Sequence, residues 1–382
     1  MKAAPGVQTM EFTVSKTDLV RELSLSQGVV EKKTTIPILS NVLVETAQDR
    51  INLTTTDLEL GIRCSCPARV KKQGAGTIPA KRLLDYVRLL PDADLDVKLQ
   101  ENQWASLICG RSRTRIAGMS RESFPELPAM PDVLARIPVG VIASMISRTI
   151  FAISAEESRF TLNGALLVLK STGITMVATD SHRLALVEHQ IDLPGMANGY
   201  RALLPRKAMG EILKLAQDSN AEAVIDFSGD DNHLFFQLGE RLLLSRKLTG
   251  NFPDFERVLP KDQPNSIALD REEFRKAIER VSQFSDERSR AIRVQAVAGE
   301  VKIHSSLSET GESEESLPVE YDGGSVEIGF NAGYLLDFLR AVPEEQVAFH
   351  FKDPHSAGEL RPVSSNGAAG HKYRYVVMPM RI

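Results

Sequence analysis

An α+β fold made of three copies of one domain is predicted by three observations. First, a strand end that runs through a proline and two basic residues into an apolar helix, IPAKRLLDYVRLL from Ile78 to Leu90, returns as LPRKAMGEILKL from Leu204 and as GFNAGYLLDFL around Phe330. Pro79, Pro205 and Asn331 therefore follow at intervals of 126 residues, and an interval held this evenly marks an internal repeat. Second, the stretches between helices alternate apolar and polar residues, the pattern of half-buried strands. Third, each repeat offers two helices, so each holds two copies of a smaller unit: strand, helix, then three or four strands.

The first nine residues, MKAAPGVQT, are small and polar and are read as a tail outside the fold, which starts at Met10-Glu11-Phe12-Thr13-Val14. Each repeat then opens with a strand and a helix: FTVSKTDLVRELSLSQGVV, IPVGVIASMISRTIFAIS and IALDREEFRKAIERVSQFS, with Ser15 and Asp270 as expected N-caps. Alternating strands follow, with Asn41 matching Asn163 and Asp57 matching Asp180. Next come the recurring strand-to-helix step, with its proline expected at the first helical position, and a second run of strands. Repeats one and two end alike, at SFPELPAMP and NFPDFERVLP, and these proline-rich exits read as linkers. The expected domains are 10–134, 135–264 and 265–382.

At 382 residues, with 42% hydrophobic and 25% charged residues, the chain has the make-up of a soluble globular protein. It lacks any apolar run near the ~20 residues of a membrane span and any signal-peptide core, so a cytoplasmic protein is expected. Three cysteines make no disulfide framework, and Cys64 and Cys66 are placed on one face of a strand, not in a metal site. Net charge of −4 argues against coating nucleic acid by bulk charge, which leaves local basic surfaces.

Six units per chain would gather the helices on one side and the sheets on the other. An open array leaves unpaired strand edges at its ends, and closure removes them. Arg111, Arg113 and Arg115 lie in the last strands of repeat one, and Glu309, Glu312, Glu314 and Glu315 lie in repeat three. These unlike surfaces favour head-to-tail contact between two copies. Twelve helices of ~10 Å width would line a circumference of ~120 Å and leave a hole of roughly 30 Å, wide enough for a nucleic-acid duplex. Basic residues on those helices are Lys81, Arg82, Arg88, Arg148, Arg206, Lys207, Lys214, Arg275, Lys276 and Arg280. The competing readings are a solvated basic strand, a solvated acidic loop and ordinary exposed helix faces.

The segments TTIPILSN, LNGALL, TDSHRLA, NFPDFERVLPK and the terminal YVVMPMRI occur in this order between Phe12 and Ile382. Together they resemble the bacterial DNA sliding clamp, the beta subunit of the replicative DNA polymerase III holoenzyme. The resemblance implies three similar domains per chain and a head-to-tail homodimeric ring, helices lining the inside and antiparallel sheets outside. It also implies a processivity factor that encircles double-stranded DNA, slides without sequence specificity and has no catalytic residues, metal or cofactor. A protein that slides needs phosphate attraction without base readout, which suits a modest basic lining.

By the same resemblance Lys33 and Phe160 lie on DNA-facing loops, with Thr161 where relatives have a second aromatic. A pocket for partner peptides is implied at the junction of repeats two and three. It comprises Arg159, Leu162, Thr179, His182, Arg183, Leu184, Pro253, Arg257, Val258, Asn331, Tyr334, Val376, Val377, Met378, Pro379, Met380, Arg381 and Ile382. Met378 and Met380 give an adaptable apolar wall, and Arg183, Arg257 and Arg381 are expected at its rim. Ser181 stands where the family hexamer has Gly. The dimer seam is matched to Tyr86, Leu90, Arg111, Arg113 and Ile116, meeting Phe284, Glu312 and Glu314; Thr114 stands where an aromatic is found in a relative.

Implied partners are the replicative polymerase catalytic subunit, the clamp loader, and other DNA polymerases, ligase and mismatch-repair proteins that carry clamp-binding peptides; no membrane is involved. Two other classes were weighed. Adjacent Asp180, Ser181 and His182 invite a hydrolase reading, but neighbours in a turn point apart and a catalytic relay comes from separated segments. A repeat-built scaffold that never encircles DNA would share the pocket and lack retention on closed DNA.

Overall fold

The computed structural model describes residues 9–30, 35–307, 311–363 and 371–381. Lys33, Glu309, Ile382 and the first eight residues lie outside the described residues.

The strand, helix, three-strand unit occurs six times among the described residues. The first repeat holds β1 (Met10–Ser15), α1 (Lys16–Ser26), β2 (Asn41–Thr46), β3 (Arg50–Thr56) and β4 (Leu60–Lys72). Its second unit is β5 (Ala75–Pro79), α2 (Ala80–Leu89), β6 (Asp94–Leu99), β7 (Trp104–Cys109) and β8 (Ser112–Ala117). Repeat two runs through β9 (Ala135–Pro138), α3 (Val139–Ser147), β10 (Gly164–Lys170), β11 (Gly173–Thr179) and β12 (Arg183–Gln190). It continues with β13 (Tyr200–Pro205), α4 (Arg206–Gln217), β14 (Val224–Gly229), β15 (His233–Leu238) and β16 (Arg241–Arg246). Repeat three supplies β17 (Asn265–Asp270), α5 (Arg271–Val281), β18 (Ala291–Val297), β19 (Glu300–Leu307) and β20 (Gly311–Pro318). It closes with β21 (Val326–Asn331), α6 (Ala332–Ala341), β22 (Gln346–Phe351), β23 (Gly358–Val363) and β24 (His371–Val377).

The helices form where apolar residues recur at helical spacing. In α2 the buried residues are Ala80, Leu83, Leu84 and Val87, and in α5 Phe274, Ala277, Ile278 and Val281. Ser15 caps α1 and Asp270 caps α5, each side chain accepting a backbone N–H of the first turn, and Asn331 accepts from Gly333 and Tyr334 in α6. The prolines correct one expectation. Pro79 and Pro205 close their strands, and the helices start one residue later. Pro79, at φ −54° and ψ 110°, lies outside the helical region and serves as the turning point between strand and helix.

The strands pair across repeats. The chain divides into two compact units, Met1–Gly140 with Lys207–Lys247 and Val141–Arg206 with Leu248–Ile382, and the division falls inside repeat two. In the first unit one 12-stranded sheet runs from β8 through β1, β4 and β16 to β9, because Leu242 to Ser245 of β16 pair with Arg63 to Leu60 of β4. Its core gathers Phe12, Leu23, Leu53, Leu84 and Val97. Cys64 and Cys66 are both buried in β4, and burial pushes the Cys66 thiol up to about 12. In the second unit an 8-stranded sheet joins β13-β10-β11-β12 to β24-β23-β22-β17, and a 4-stranded sheet has the order β20-β19-β18-β21. The pairing of β12 with β24 builds the site described next.

Candidate functional site

The turn between β11 and β12 is shaped by two side chains. Asp180 Oδ1 accepts the backbone N–H groups of His182 at 2.9 Å and Arg183 at 3.1 Å. Thr179 Oγ1 donates to the Arg183 carbonyl at 2.6 Å and accepts the Ser181 N–H at 3.1 Å. Short polar side chains that bond their own backbone set such turns. Ser181 sits at φ 78°, the left-handed region where glycine carries no Cβ penalty. The other Asp180 oxygen takes Arg183 Nε at 3.0 Å. Asp180, Ser181 and His182 thus make a turn, with the carboxylate turned to backbone and arginine.

Arg183 is the centre of the site and is not the rim residue expected of it. Its side chain is 9% exposed. Beyond Asp180 it donates to Asp337 at 2.6 Å and to the Phe151 carbonyl at 2.7 Å, and its guanidinium lies 4.4 Å from the centre of the Tyr334 ring. The planar fork matches two carboxylates and an aromatic face at once, which a lysine could not do. Buried on its own, a cation would be costly; with these partners it locks β12 to α6. His182 stacks against Tyr334, ring centres 6.4 Å apart, and burial raises the Tyr334 phenol above its ordinary pKa.

Beside this lock lies an apolar floor. Leu162, Leu184 and Val376 pack in one cluster with Leu166, Val177 and Phe252, all buried. Val377 pairs with Arg183 across the β12–β24 seam and is also buried, so these residues underlie the surface instead of walling it. The exposed apolar atoms come from the strand end and the linker: Met378 and Val258 are each 43% exposed, and Pro253 of the linker is exposed as well. The C-terminal segment is fixed by Met378 N–H donating to the His182 carbonyl at 2.9 Å and Met380 N–H to the Gly329 carbonyl at 2.8 Å. Pro379 lies between them, half-buried, and Arg381 is exposed.

Two polar arms flank the floor. Arg159 donates to the Asp180 carbonyl at 3.2 Å and to Ser181 Oγ at 3.0 Å, bridging the turn to the short helical turn that bears Phe160. Phe160 is 71% exposed. Arg257 is exposed and paired with Asp254 at 2.8 Å. Asn331 spends its side chain on the α6 cap and on the Ser289 carbonyl, so it holds the helix that carries Tyr334. The structure therefore brings all the expected pocket residues except Ile382, which is not described, into the second unit, with Arg183, Leu184, Val376 and Val377 in supporting positions.

Most of the basic helix residues are already partnered. Lys81 pairs with Asp85, Lys207 with Asp57, Lys214 with Glu211, Lys276 with Glu272, and Arg280 with Glu315. Arg275 is clasped by Glu272 and Glu279, and Arg88 donates to Ser24. Arg82 and Arg206 are exposed and have no ion-pair partner among the described residues. Arg148 overturns its expectation: its side chain is 8% exposed, bonded to Glu344 at 2.8 Å and set 5.4 Å from the Tyr373 ring centre. The Arg148 N–H still bonds the Ser144 carbonyl at 3.1 Å, so it is the ion pair with Glu344 that holds this side chain inward at the end of α3.

At the sheet ends, Arg111 is exposed just before β8, Arg113 and Arg115 are exposed along it, and Glu312 and Glu314 are exposed along β20. The Phe284 ring lies against Gly311 at the start of β20. Leu90 and Ile116 are 5% and 4% exposed and belong to the chain's own core, with Tyr86 packed partly against it. The helix period that buries Leu83, Leu84 and Val87 also turns Leu90 inward and leaves Leu89 out at 86% exposed. Sequence reading missed Leu89, and also Trp104, 40% exposed with the Arg115 guanidinium 5.1 Å over its ring. The helical period in RLLDYVRLL was the available signal for Leu89.

Three family models for the DNA polymerase III beta subunit match the chain: the N-terminal domain over residues 10–128, the central domain over 136–254 and the C-terminal domain over 256–381. The beta sliding clamp of Pseudomonas putida KT2440 is 35% identical over 98% of this chain and all of its own length, and that of Caulobacter vibrioides is 34% identical over the same shares. The chain belongs to the bacterial beta sliding clamps. The fold agrees: a Pseudomonas aeruginosa sliding clamp crystallised with griselimycin superposes with a TM-score of 0.90 at 34% identity over 98% of this chain and all of the other. The C. crescentus clamp gives 0.91 at 32% identity over 99% and 100%. A sliding clamp is a non-catalytic processivity subunit of DNA polymerase III, and the six strand–helix–strand units are the three clamp domains in pairs. Among the described residues no helix is long and apolar enough to cross a membrane.

Proposed function

We propose that two copies of this clamp close head to tail into a ring around double-stranded DNA, with domains 10–134, 135–264 and 265–382, helices inside and sheets outside. The observation that carries this reading is the pair of unlike edge strands: β8 ends one sheet with arginines, and β20 ends another with glutamates. Unpaired edges of opposite charge suit pairing with a second copy, Arg111 and Arg113 meeting Glu312 and Glu314, with Tyr86 and Phe284 beside them. Lining cations that are mostly matched by acidic neighbours support a surface that attracts phosphates weakly, as sliding requires. Arg82, Arg88 and Arg206 would contribute most of the free charge.

The groove over the Leu162, Leu184 and Val376 floor would take an apolar peptide from the replicative polymerase, the clamp loader, other polymerases, ligase or mismatch-repair proteins. Arg159, His182, Arg257 and Met378 to Arg381 would contact it, and the clamp would work in the cytoplasm. The deciding experiment is retention on a nicked DNA circle after loading. Release when the circle is cut once is expected; equal retention on circle and line would mean ordinary binding and favour a scaffold. Deleting Met378 to Ile382 should abolish peptide binding and leave the dimer intact, and unchanged peptide affinity would sink the groove assignment.

A further inference from the structure

We propose that His189 and His371 together bind one divalent transition-metal ion of the zinc class at the far end of the seam between β12 and β24. The two residues stand directly opposite each other in the antiparallel register, and their ring centres are 4.4 Å apart. Opposed residues send their side chains to one side of the sheet, so both imidazoles converge. An ion held 2.0–2.1 Å from each of two ring nitrogens in tetrahedral geometry needs those nitrogens ~3.3 Å apart, a spacing that rings this close reach by small side-chain rotations. Both rings line a cavity of about 740 Å³ that gives an ion and its waters a way in. The buried Nδ1 of His371 has no hydrogen-bond partner among the described residues, so no protein acceptor fixes this ring in another role. The fold does not require a histidine here either: 123 residues before His189, the interval that separates Asp57 from Asp180, stands Cys66.

The surroundings select the ion. Lys170 and Lys372 also line the cavity, and of the two Lys372 is paired with Glu188 at 3.7 Å. A hard cation such as Mg2+ is held by carboxylates, and a lining with this much positive charge would repel it. Imidazole nitrogen instead suits zinc, copper and nickel, whose affinity comes from the donor atom more than from net charge. Among the described residues no group of three imidazole, thiol or carboxylate ligands forms, so water would complete the coordination of an ion held by two histidines. Such an ion would fasten the last strand of the third repeat to the second repeat, and binding to the folded chain alone would stabilise it.

The test uses the full-length clamp, stripped of metal with a chelator and returned to chelator-free buffer. Titration calorimetry should show one Zn2+ bound per chain and no heat from Mg2+ at the same concentrations. His189→Gln and His371→Gln should each weaken Zn2+ binding at least ~10-fold, since loss of even an outer-shell partner can cost that much. His233→Gln, at a ring held by Asp230, should leave it unchanged. With one equivalent of Cu2+, electron paramagnetic resonance should show coupling to two imidazole nitrogens in the wild type and to one in either variant. Independently of any variant, Zn2+ should protect His189 and His371, and not the exposed His182, from diethyl pyrocarbonate in the wild-type clamp. Zn2+ affinity unchanged in both variants, or no protection of either ring, would mean an adventitious ion at another histidine and overturns the proposal. Heat from inorganic phosphate with none from Zn2+ would mark the cavity as an anion site of Lys170 and Lys372 and overturns it as well.

Discussion

The turn Thr56 to Leu60 in the first repeat and the turn Thr179 to Arg183 in the second are built by the same bonds. Asp57 Oδ1 accepts the N–H groups of Glu59 at 2.9 Å and Leu60 at 2.6 Å, as Asp180 does for His182 and Arg183. Thr56 Oγ1 accepts from Leu58 and donates to the Leu60 carbonyl, as Thr179 does one repeat later. Leu58 and Ser181 share φ 78°. What differs is the fifth residue. Leu60 is 2% exposed and apolar, whereas Arg183 is a cation held by two carboxylates, a carbonyl and Tyr334. The leftover oxygen of Asp57 takes Lys207 from another element, and that of Asp180 takes Arg183 itself. Local chemistry fixed the same turn twice, and one side chain turned the second copy into the anchor of a binding surface.

Replacing Arg183 with the leucine of the first turn should have the largest effect. Arg183→Leu leaves Asp180 and Asp337 without their shared partner, and removing one member of a buried ion network costs ~3–5 kcal/mol. Denaturant unfolding of the second unit should register that loss, and peptide binding should fail with it. A loss below ~1 kcal/mol would mean that Arg183 is interchangeable with Leu60 and the comparison breaks. The left-handed residue offers a matched pair of smaller effects. Ser181→Gly and Leu58→Gly should each stabilise by up to ~1 kcal/mol, because the Cβ penalty disappears while backbone entropy offsets part of the gain. Unequal shifts in thermal midpoint would show that the two turns carry different strain. Smallest of all should be Lys207→Met: the ammonium is 44% exposed, so its bond to Asp57 contributes ~0–1 kcal/mol, to be seen as a slight fall in the midpoint that salt erases.

Much of this was legible in the chain. The interval of Pro79, Pro205 and Asn331 announced the repeat, and helical spacing named the buried faces of α2 and α5. Caps at Ser15 and Asp270 were readable because the acceptor and its N–H lie three residues apart. The site was less so. Arg148 read as a lining residue and Arg183 as a rim residue, and each is buried by partners distant in sequence: Glu344 and Tyr373 for Arg148, Asp337 and Tyr334 for Arg183. A lysine or arginine carries no mark that tells a lining cation from a locked one.

By itself the sequence determined the unit, its six recurrences and the turns between strands, since caps, helical period and alternation act over a few residues. Only the tertiary structure decided which repeat's sheet each strand joins. The pairings of β16 with β4 and of β12 with β24 are between edges far apart along the chain, and their register is set by which apolar faces must be buried together. Those pairings place Val377 beside Arg183, and with it the C-terminal tail beside the turn that holds it.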